Sequence, residues 1–382
     1  MAKKFAIAIS IDLKSAAINT YHNVRKMLWH FSNMRENGVI RIIHFIVGWS
    51  VCLFFNAFAI IQMAIIWWKN KNAFAKPKIL PKPDALENWI HGKAKLSYNL
   101  NQTSSQEVTI HYVEQGDLMS PLLLMVHGFP DFWYSWRFQI KHFAKSYHVV
   151  AVDMRGYNES EAPVGIEHYQ AHLVAKDIVE LIQYLGYNGG VLVAHDWGGA
   201  IAWHIAAAHP EVVKRLIILN GPHPLAFQQH LRTSLSQFIK YIYFFQMPII
   251  PETFISLDNF ARLIQTIRGS KGLINKENFT DEDEKALLYT FSSKDKLTGP
   301  INYYRASFQM PTNFSIFKNL IKAKTLILWG INDHFLEKKI AEYSSSYCEM
   351  SQLRFVENAS HWPHIDQPEQ VNMFIENFLQ QI

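Results

Sequence analysis

Short apolar runs alternate with longer amphipathic segments from about residue 90 to the carboxyl end of the chain. Brief apolar runs are typical of buried strands, whereas apolar spacing near 3.6 residues is typical of helices. The apolar runs predict strands at Val108–Val113, Leu122–Val126, His148–Val152, Gly190–Ala194, Arg215–Leu219, Thr325–Trp329 and Leu353–Val356. The amphipathic segments predict helices at Trp136–Phe143, Tyr169–Leu185, Gly199–Ala207 and Glu369–Leu379. This alternation favours an α/β fold, with a mostly parallel sheet and helices on both faces.

One long segment, residues 223–320, interrupts the alternation with aromatic residues and helix-like patches. It separates Arg215–Leu219 from Thr325–Trp329, the fifth and sixth of the seven strands predicted above. Ligands of open α/β sheets bind at the carboxyl edge of the strands. The segment is therefore predicted to be a helical cap that closes a dry pocket over a core of residues 91–222 and 321–382. The alternative is a small separate domain without function.

A second long segment, from Ile42 to Trp68, contains no formally charged residue. A helix that spans a bilayer needs about 20 apolar residues, so residues 42–68 are predicted to be an uncleaved transmembrane signal anchor. Residues 1–41 form an N-terminal segment before it, and residues 69–90 form a Pro/Lys linker after it. A buried or interfacial helix is the alternative. The late start and the length of the run disfavour a cleaved signal peptide.

Basic residues flank both ends of this apolar segment, with a small excess on the amino-terminal side. The positive-inside rule therefore favours a cytosolic amino terminus, a type II single-pass protein of the endoplasmic reticulum or another endomembrane. The difference is narrow, so the side of the membrane that residues 91–382 face, the organelle and glycosylation of the Asn-x-Ser/Thr triplets stay open.

Composition removes several classes of function. The chain of 382 residues is 49% hydrophobic and 14% aromatic, which supports a filled core and argues against disorder. Its net charge of +5 comes without a basic run interleaved with aromatic residues, so a nucleic-acid partner is not expected. Two cysteines, Cys52 and Cys348, are too few for a disulfide framework or a zinc site.

The most informative residue is Asp196, which follows the predicted strand Gly190–Ala194 and precedes a predicted helix. Small residues, Ala194 and Gly198, lie two positions on either side, as in the strand-turn-helix motif that usually carries a nucleophilic serine. A carboxylate there attacks carbon and forms an ester on the enzyme. This chemistry suits a strained or halogenated carbon. An aspartate in a turn is otherwise most often a helix N-cap.

Three further motifs follow predicted strands in an order that supports catalysis. His127-Gly128-Phe129-Pro130 comes directly after Leu122–Val126, and the amides of Phe129 and Trp197 are the predicted oxyanion donors. Asp333 and His361 follow the last two strands, in the order nucleophile, acid, histidine that α/β-hydrolases use. Taken singly, Asp333 is a turn residue and His361 a loop histidine.

Four short motifs resemble those of the epoxide hydrolases in the α/β-hydrolase superfamily. They are His127–Pro130, Gly156-Tyr157, His195-Asp196-Trp197-Gly198 and Ala359-Ser360-His361. Together with the apolar segment, they are similar to the membrane-anchored animal members of that family. The resemblance implies the α/β-hydrolase fold, with a helical cap inserted between strands 6 and 7 and a transmembrane helix before it. Asn158 stands where the family commonly has glycine, and since asparagine tolerates left-handed backbone we expect the turn to survive.

The resemblance also implies two cap tyrosines that hold the epoxide oxygen. Asn302-Tyr303-Tyr304-Arg305 is similar to the family's Asn-aromatic-Tyr-Arg motif, so Tyr304 is the expected proton donor. Tyr241 fits the family spacing for the second tyrosine, and Tyr243 is the alternative. Packing is the ordinary role of a tyrosine in such a segment. The expected substrate pocket is formed by His127, Pro130, Tyr243, Phe245 and Trp362.

The resulting hypothesis is an epoxide hydrolase that needs neither a metal nor an organic cofactor. Asp196 opens the epoxide and becomes esterified, and His361, oriented by Asp333, activates the water that hydrolyses the ester. A lipid or fatty-acid epoxide is the expected substrate. A haloalkane dehalogenase and a membrane-tethered ligand-binding protein are the alternatives. The oligomeric state stays open.

Overall fold

A computed structural model describes residues 38–78, 80–101, 104–231 and 238–381. Of the expected N-terminal segment, residues 1–37 lie outside the described residues. The strands are β1 (Ile90–Asn101), β2 (Ser104–Gln115), β3 (Leu122–Val126), β4 (His148–Val152), β5 (Gly190–His195), β6 (Val213–Leu219), β7 (Thr325–Gly330) and β8 (Ser351–Val356). They form one sheet in the order β1-β2-β4-β3-β5-β6-β7-β8.

The described helices cover both sides of this sheet and fill the segment between β6 and β7. They are α1 (Gly38–Lys69), α2 (Arg137–Phe143), α3 (Ala171–Tyr184), α4 (Trp197–Ala208), α5 (Pro224–Leu231), α6 (Phe238–Phe244), α7 (Ile250–Arg268), α8 (Asp281–Thr290), α9 (Asp295–Gln309), α10 (Lys339–Ser345), α11 (Pro363–Asp366) and α12 (Pro368–Leu379). Short 3-10 helices lie in the connections, among them Lys71–Phe74 and Asp84–Leu86 within the expected linker.

The sheet is parallel from β4 through β3 to β8, and its first two strands run antiparallel. Strands β3, β4 and β5 are buried along their whole length, as expected where helices cover both faces of a parallel sheet. These continuous apolar runs are why the central strands were predicted from the sequence. The predicted α/β architecture with a mostly parallel sheet is confirmed.

One strand, β1, was absent from the prediction. Its buried residues Ala94, Leu96 and Tyr98 alternate with exposed positions such as Lys93 and Lys95. Alternation of this kind is typical of a strand with one face in water. The two lysines and the small alanine weaken the apolar signal, so the run did not stand out. The strand adds an antiparallel edge next to β2.

The residues between β6 and β7, which we call the cap (residues 223–320), contain α5 to α9. Helix α9 packs closely on the core at Gly299, where an added Cβ atom would overlap the backbone of Gly156. Next to this contact, Lys296 Nζ donates to the carbonyl of Asn158 at 2.9 Å. Asn158 adopts the left-handed backbone with φ 45°, so the turn survives without glycine, as expected.

Helix α1 contains the apolar segment of the sequence. Within the described residues, Gly48–Lys69 is long and apolar enough to cross a membrane, with a mean hydropathy of 2.0. Most of its large apolar side chains are exposed, including Phe54 at 68% and Trp68 at 77%. A narrow face is buried against the cap instead, and there Asn56 Nδ2 donates to the carbonyl of Phe244 at 3.3 Å. The helix is therefore a candidate membrane anchor that also touches the cap.

Candidate active site

Asp196 lies in the sharp turn between β5 and α4. Its backbone has φ 51° and ψ −117°, a strained conformation for a residue with a side chain. Helix α4 begins directly after it at Trp197, so the carboxylate stands at the amino end of a helix, where negative charge is favoured. Strained backbone that persists in a tightly packed surrounding is typical of functional residues.

Two glycines make room for this turn. An added Cβ atom at Gly198 would overlap the carbonyls of Val126 and His127, and one at Gly128 would overlap the side chain of Asp196. The loop after β3 therefore approaches the Asp196 carboxylate closely enough for the Phe129 amide to donate to Oδ1 at 2.9 Å. One of the two predicted oxyanion donors thus contacts the candidate nucleophile. Trp197 is the first residue of α4, and its donor role stays a prediction.

The loops after β7 and β8 bring Asp333 and His361 to the same edge of the sheet. His361 Nδ1 donates to Asp333 Oδ2 at 2.8 Å, and its Nε2 lies 3.4 Å from Asp196 Oδ2. The imidazole therefore lies between the two carboxylates. A water molecule beside Nε2 would therefore also lie beside the Asp196 carboxyl group.

Asn220 is a further residue of this arrangement, and the sequence analysis missed it. Its Nδ2 donates to Asp333 Oδ2 at 2.6 Å, while its Oδ1 accepts from the Gly330 amide at 3.0 Å. The other carboxylate oxygen of Asp333 accepts from the Phe335 and Leu336 amides at 2.7 and 2.9 Å. Asn220 is the first residue after β6, at the same carboxyl edge of the sheet. Its position directly after a predicted strand is the feature of the sequence that could have identified it.

Charge and burial set the protonation states of the pair. Burial opposes a charge on His361, but the carboxylates of Asp333 and Asp196 outweigh it and raise the pKa of His361 to about 10. Burial also favours the neutral form of Asp196, yet the hydrogen bond and the charge of His361 hold the pKa of Asp196 below its ordinary value of 3.8. At neutral pH the site therefore holds an ionised carboxylate, as a nucleophile requires, next to an imidazolium.

A cavity of about 460 Å³ opens above Asp196 and His361, between the core and the cap. Tyr241 and Tyr304 line it from the cap side, with their ring centroids 6.2 Å apart. Burial raises the pKa of both tyrosines well above 10, and the Asp196 carboxylate raises it further. Both phenols therefore keep their protons at neutral pH and can donate into the cavity.

The motif around Tyr304 fixes its position through Arg305, which is 5% exposed. Arg305 Nη1 binds Glu252 Oε1 at 2.7 Å, while its Nε and Nη2 donate to the carbonyls of Phe245 and Met247 at 3.1 and 2.6 Å. The guanidinium thus ties α9 to the segment after α6. Tyr303 faces the core instead, where its hydroxyl donates to the carbonyl of Arg155 at 2.8 Å.

The expected pocket residues divide into two groups. Pro130, Phe245 and Trp362 line the cavity. His127 does not, because it is fully buried and its Nε2 accepts from the Met154 amide at 3.1 Å, joining two loops below the site. Tyr243 does not either, since it faces α1 near Gly48. The structure therefore brings Tyr241 rather than the alternative Tyr243 to the cavity.

A buried group behind His361 was also missed. His195 Nε2 donates to the carbonyl of His361 at 2.8 Å, and Asp131 Oδ2 accepts from Trp362 Nε1 at 3.0 Å. Asp131, His195 and His364 have ligand atoms within 4.8 Å of one another, a spacing compatible with one cation. His91, His111 and Glu159 form a second such group near β1. Neither group includes Asp196, Asp333 or His361.

Comparisons with known proteins agree with this geometry. A family model described as alpha/beta hydrolase fold matches residues 121–368. The chain is 40% identical over 324 residues to Epoxide hydrolase 2 of Caenorhabditis elegans, covering 84% of this chain and 88% of that relative. It is 41% identical over 276 residues to human Epoxide hydrolase 4, covering 71% of this chain and 75% of the relative.

A solved structure of an epoxide hydrolase from Bacillus megaterium is also similar. It is a point mutant of that enzyme in complex with its product, a naphthyloxy-propane-1,2-diol, and it superimposes with a TM-score of 0.65 at 32% identity. The match covers 72% of this chain and 98% of that one. The chain described here belongs to the epoxide hydrolase family of the alpha/beta hydrolase fold.

Proposed function

We propose that the protein hydrolyses apolar epoxides to vicinal diols through a covalent ester on Asp196. The observation that carries this proposal is the pair of cap phenols above an ionised carboxylate in one cavity. In the first step, Asp196 attacks a ring carbon and the C–O bond breaks, while Tyr304 and Tyr241 hydrogen-bond the departing oxygen. One phenol supplies the proton, so the product of this step is a hydroxyalkyl ester of Asp196.

In the second step, water attacks the carbonyl carbon of that ester. His361 takes the proton of the water, and Asp333 holds the imidazole through Nδ1. The amides of Phe129 and Trp197 stabilise the negative oxygen of the tetrahedral intermediate. When the intermediate collapses, its bond to the substrate oxygen breaks and that oxygen takes the second proton of the attacking water, which releases the diol and regenerates the Asp196 carboxylate. The 2.9 Å bond from the Phe129 amide to Asp196 Oδ1 supports the first of these two donor roles.

The protonation of His361 changes between the two steps. In the free enzyme, the Asp196 carboxylate helps to keep its pKa raised, at about 10. Esterification removes that negative charge, so the pKa of His361 falls and the imidazolium releases its proton, which reprotonates the phenolate left by the first step. The neutral imidazole is then a base when a base is first needed. Asp333 keeps the ring oriented through its contact with Nδ1.

This change predicts different pH dependences for the two steps. We expect ester formation to vary little between about pH 6 and 9, because Asp196 has a lowered pKa and stays ionised throughout. We expect ester hydrolysis to accelerate with rising pH, because it requires neutral His361. Rapid-quench single turnovers at several pH values measure both rates. A hydrolysis rate that falls with rising pH would contradict the assignment of His361 as a base.

Two adjacent tyrosines provide a matched test of the proton donor. We expect Tyr304→Phe to lower kcat/KM about 100-fold, the usual contribution of a positioned acid. We expect Tyr303→Phe to change kcat/KM less than about threefold, because that hydroxyl binds the carbonyl of Arg155 in the core. Steady-state diol formation from one small epoxide measures both variants. Equal losses would show that Tyr304 acts only by packing.

The alternatives have weaker support. A haloalkane dehalogenase uses the same kind of aspartate, but the relatives are named epoxide hydrolases and two phenols line this cavity. A ligand-binding protein would need neither the Asp196–His361–Asp333 contacts nor a strained turn. Incubation with epoxides and haloalkanes separates the three. Diol formation supports the proposal, halide release favours the dehalogenase, and saturable binding without either product favours the binding protein.

We also propose that residues 42–68 anchor the protein as a type II membrane protein of the endoplasmic reticulum or another endomembrane. The exposed apolar surface of α1 supports an anchor. Protease protection of amino- and carboxyl-terminal tags in microsomes tests the topology, and only the carboxyl-terminal tag should be protected. Equal exposure of both tags would favour a helix that lies along the membrane surface, in keeping with the contact between Asn56 and the cap.

A further inference from the structure

The cavity above Asp196 has an unequal distribution of charge. Near its floor lie Asp196 and His361, and its walls are largely aromatic and aliphatic. Two basic side chains, Arg262 and Lys271, also line it. Both come from the cap, Arg262 from the second half of α7 and Lys271 from the loop after it. Lys271 is exposed and Arg262 is half-buried, so the positive charge lies toward solvent, at the mouth.

Arg262 is held in place by apolar packing. Its guanidinium stacks on the Phe254 ring at 3.9 Å, and Phe254 itself packs edge-on against Phe244, with ring centroids 5.5 Å apart. A guanidinium that stacks on a ring keeps its N–H edge available for a planar anion. Within the described part of the chain, neither Arg262 nor Lys271 forms an ion pair.

A second arginine on α7 provides the contrast. Arg268 Nη2 binds Asp281 at 3.0 Å and its Nε binds Glu284 at 2.7 Å, and it does not line the cavity. The acids of α8 thus neutralise Arg268, whereas Arg262 faces the cavity. A half-buried guanidinium that has no ion-pair partner and lines a largely apolar cavity is expected to attract an anion.

We propose that Arg262 and Lys271 form a carboxylate-binding subsite at the mouth of the cavity. The substrate is then an amphiphile with three parts: an anionic carboxylate held at the mouth, an apolar chain along the aromatic wall, and an epoxide above Asp196. This inference rests on the proposed function and specifies its substrate class. The bidentate geometry of guanidinium makes Arg262 the principal contact, and Lys271 adds charge.

The test compares two substrates with one chain and different heads. The full-length protein, in neutral detergent, is assayed with 9,10-epoxyoctadecanoate and with the corresponding primary amide, and diol is measured. The wild type should prefer the acid about tenfold in kcat/KM, as one charge-assisted contact provides. The preference should shrink with added salt, since the mouth is open to solvent.

Variants assign the preference to a residue. Arg262→Gln should lower kcat/KM about tenfold for the acid and less than twofold for the amide. The change for the acid should come from a higher KM, with kcat nearly unchanged. The matched control Arg268→Gln should leave the ratio of acid to amide unchanged. Equal kcat/KM for acid and amide in the wild type, or an equal loss on both in Arg262→Gln, would overturn the proposal. The second result, together with weaker binding to anionic vesicles, would indicate that these cations contact lipid headgroups.

The two proposals fail in different ways. Diol from the amide and from a small neutral epoxide such as styrene oxide, without preference for the acid, would refute the subsite and leave the hydrolase intact. Absence of diol from every epoxide would refute the proposed function, and the subsite with it.

Discussion

Asp196→Ala should lower kcat by about 10⁴-fold or more, because without the carboxylate no ester forms and the cap phenols have nothing to assist. Diol formation from a small epoxide under saturating conditions measures the loss. The variant should still bind the diol product, since the cavity walls are unchanged.

Folding controls separate this loss from damage to the turn. Residue 196 has φ 51°, which strains alanine, so the thermal midpoint of Asp196→Ala should fall by a few degrees. Asparagine tolerates this backbone better. Asp196→Asn should therefore unfold near the wild-type temperature and still be inactive in a short assay. More than a few per cent of activity in a folded Asp196→Ala variant would exclude Asp196 as the nucleophile.

His361→Gln should separate the two steps. Glutamine cannot act as a base, so the ester should form and persist, and turnover should fall about 10⁴-fold. Intact-mass spectrometry after incubation with excess epoxide measures the adduct. Ring opening adds the whole epoxide to the enzyme, so the mass of the protein should increase by the full mass of the substrate. After digestion, the adduct should be found on the peptide that contains Asp196.

The double variant Asp196→Ala/His361→Gln is the control, and it should show no adduct. A haloalkane would instead add its mass minus the mass of the hydrogen halide, which distinguishes the two chemistries. An unmodified His361→Gln protein under saturating epoxide would contradict the separation of roles between Asp196 and His361.

The core was predictable because its chemistry follows from local rules. Parallel strands buried on both faces are continuous apolar runs, and loops at their carboxyl ends carry Asp196, Asp333 and His361. Strand β1 was missed because Lys93 and Lys95 on its solvent face hide the alternation. The positions of the loops therefore could be read from the sequence, whereas the exposed edge of the sheet could not.

Other parts of the site depend on three-dimensional contacts. Tyr241 and Tyr243 are two residues apart on α6, and since each helical residue turns about 100° they point in nearly opposite directions. Only the packing of α6 on α1 shows that Tyr241 faces the cavity. Asn220 and Arg262 are ordinary polar residues in the sequence. Only the structure shows that Asn220 donates to Asp333 and that Arg262 lines the cavity.

The most direct test of the ester follows the oxygen of water during one turnover. Wild-type protein in molar excess over epoxide is allowed to react once in ¹⁸O-labelled water, and both the diol and the peptide that contains Asp196 are analysed by mass spectrometry. Because water attacks the carbonyl carbon of the ester, ¹⁸O should appear in the Asp196 carboxylate and the diol should be unlabelled. Label in the diol with none in the peptide would show that water attacks the epoxide directly, and would exclude a covalent ester on Asp196.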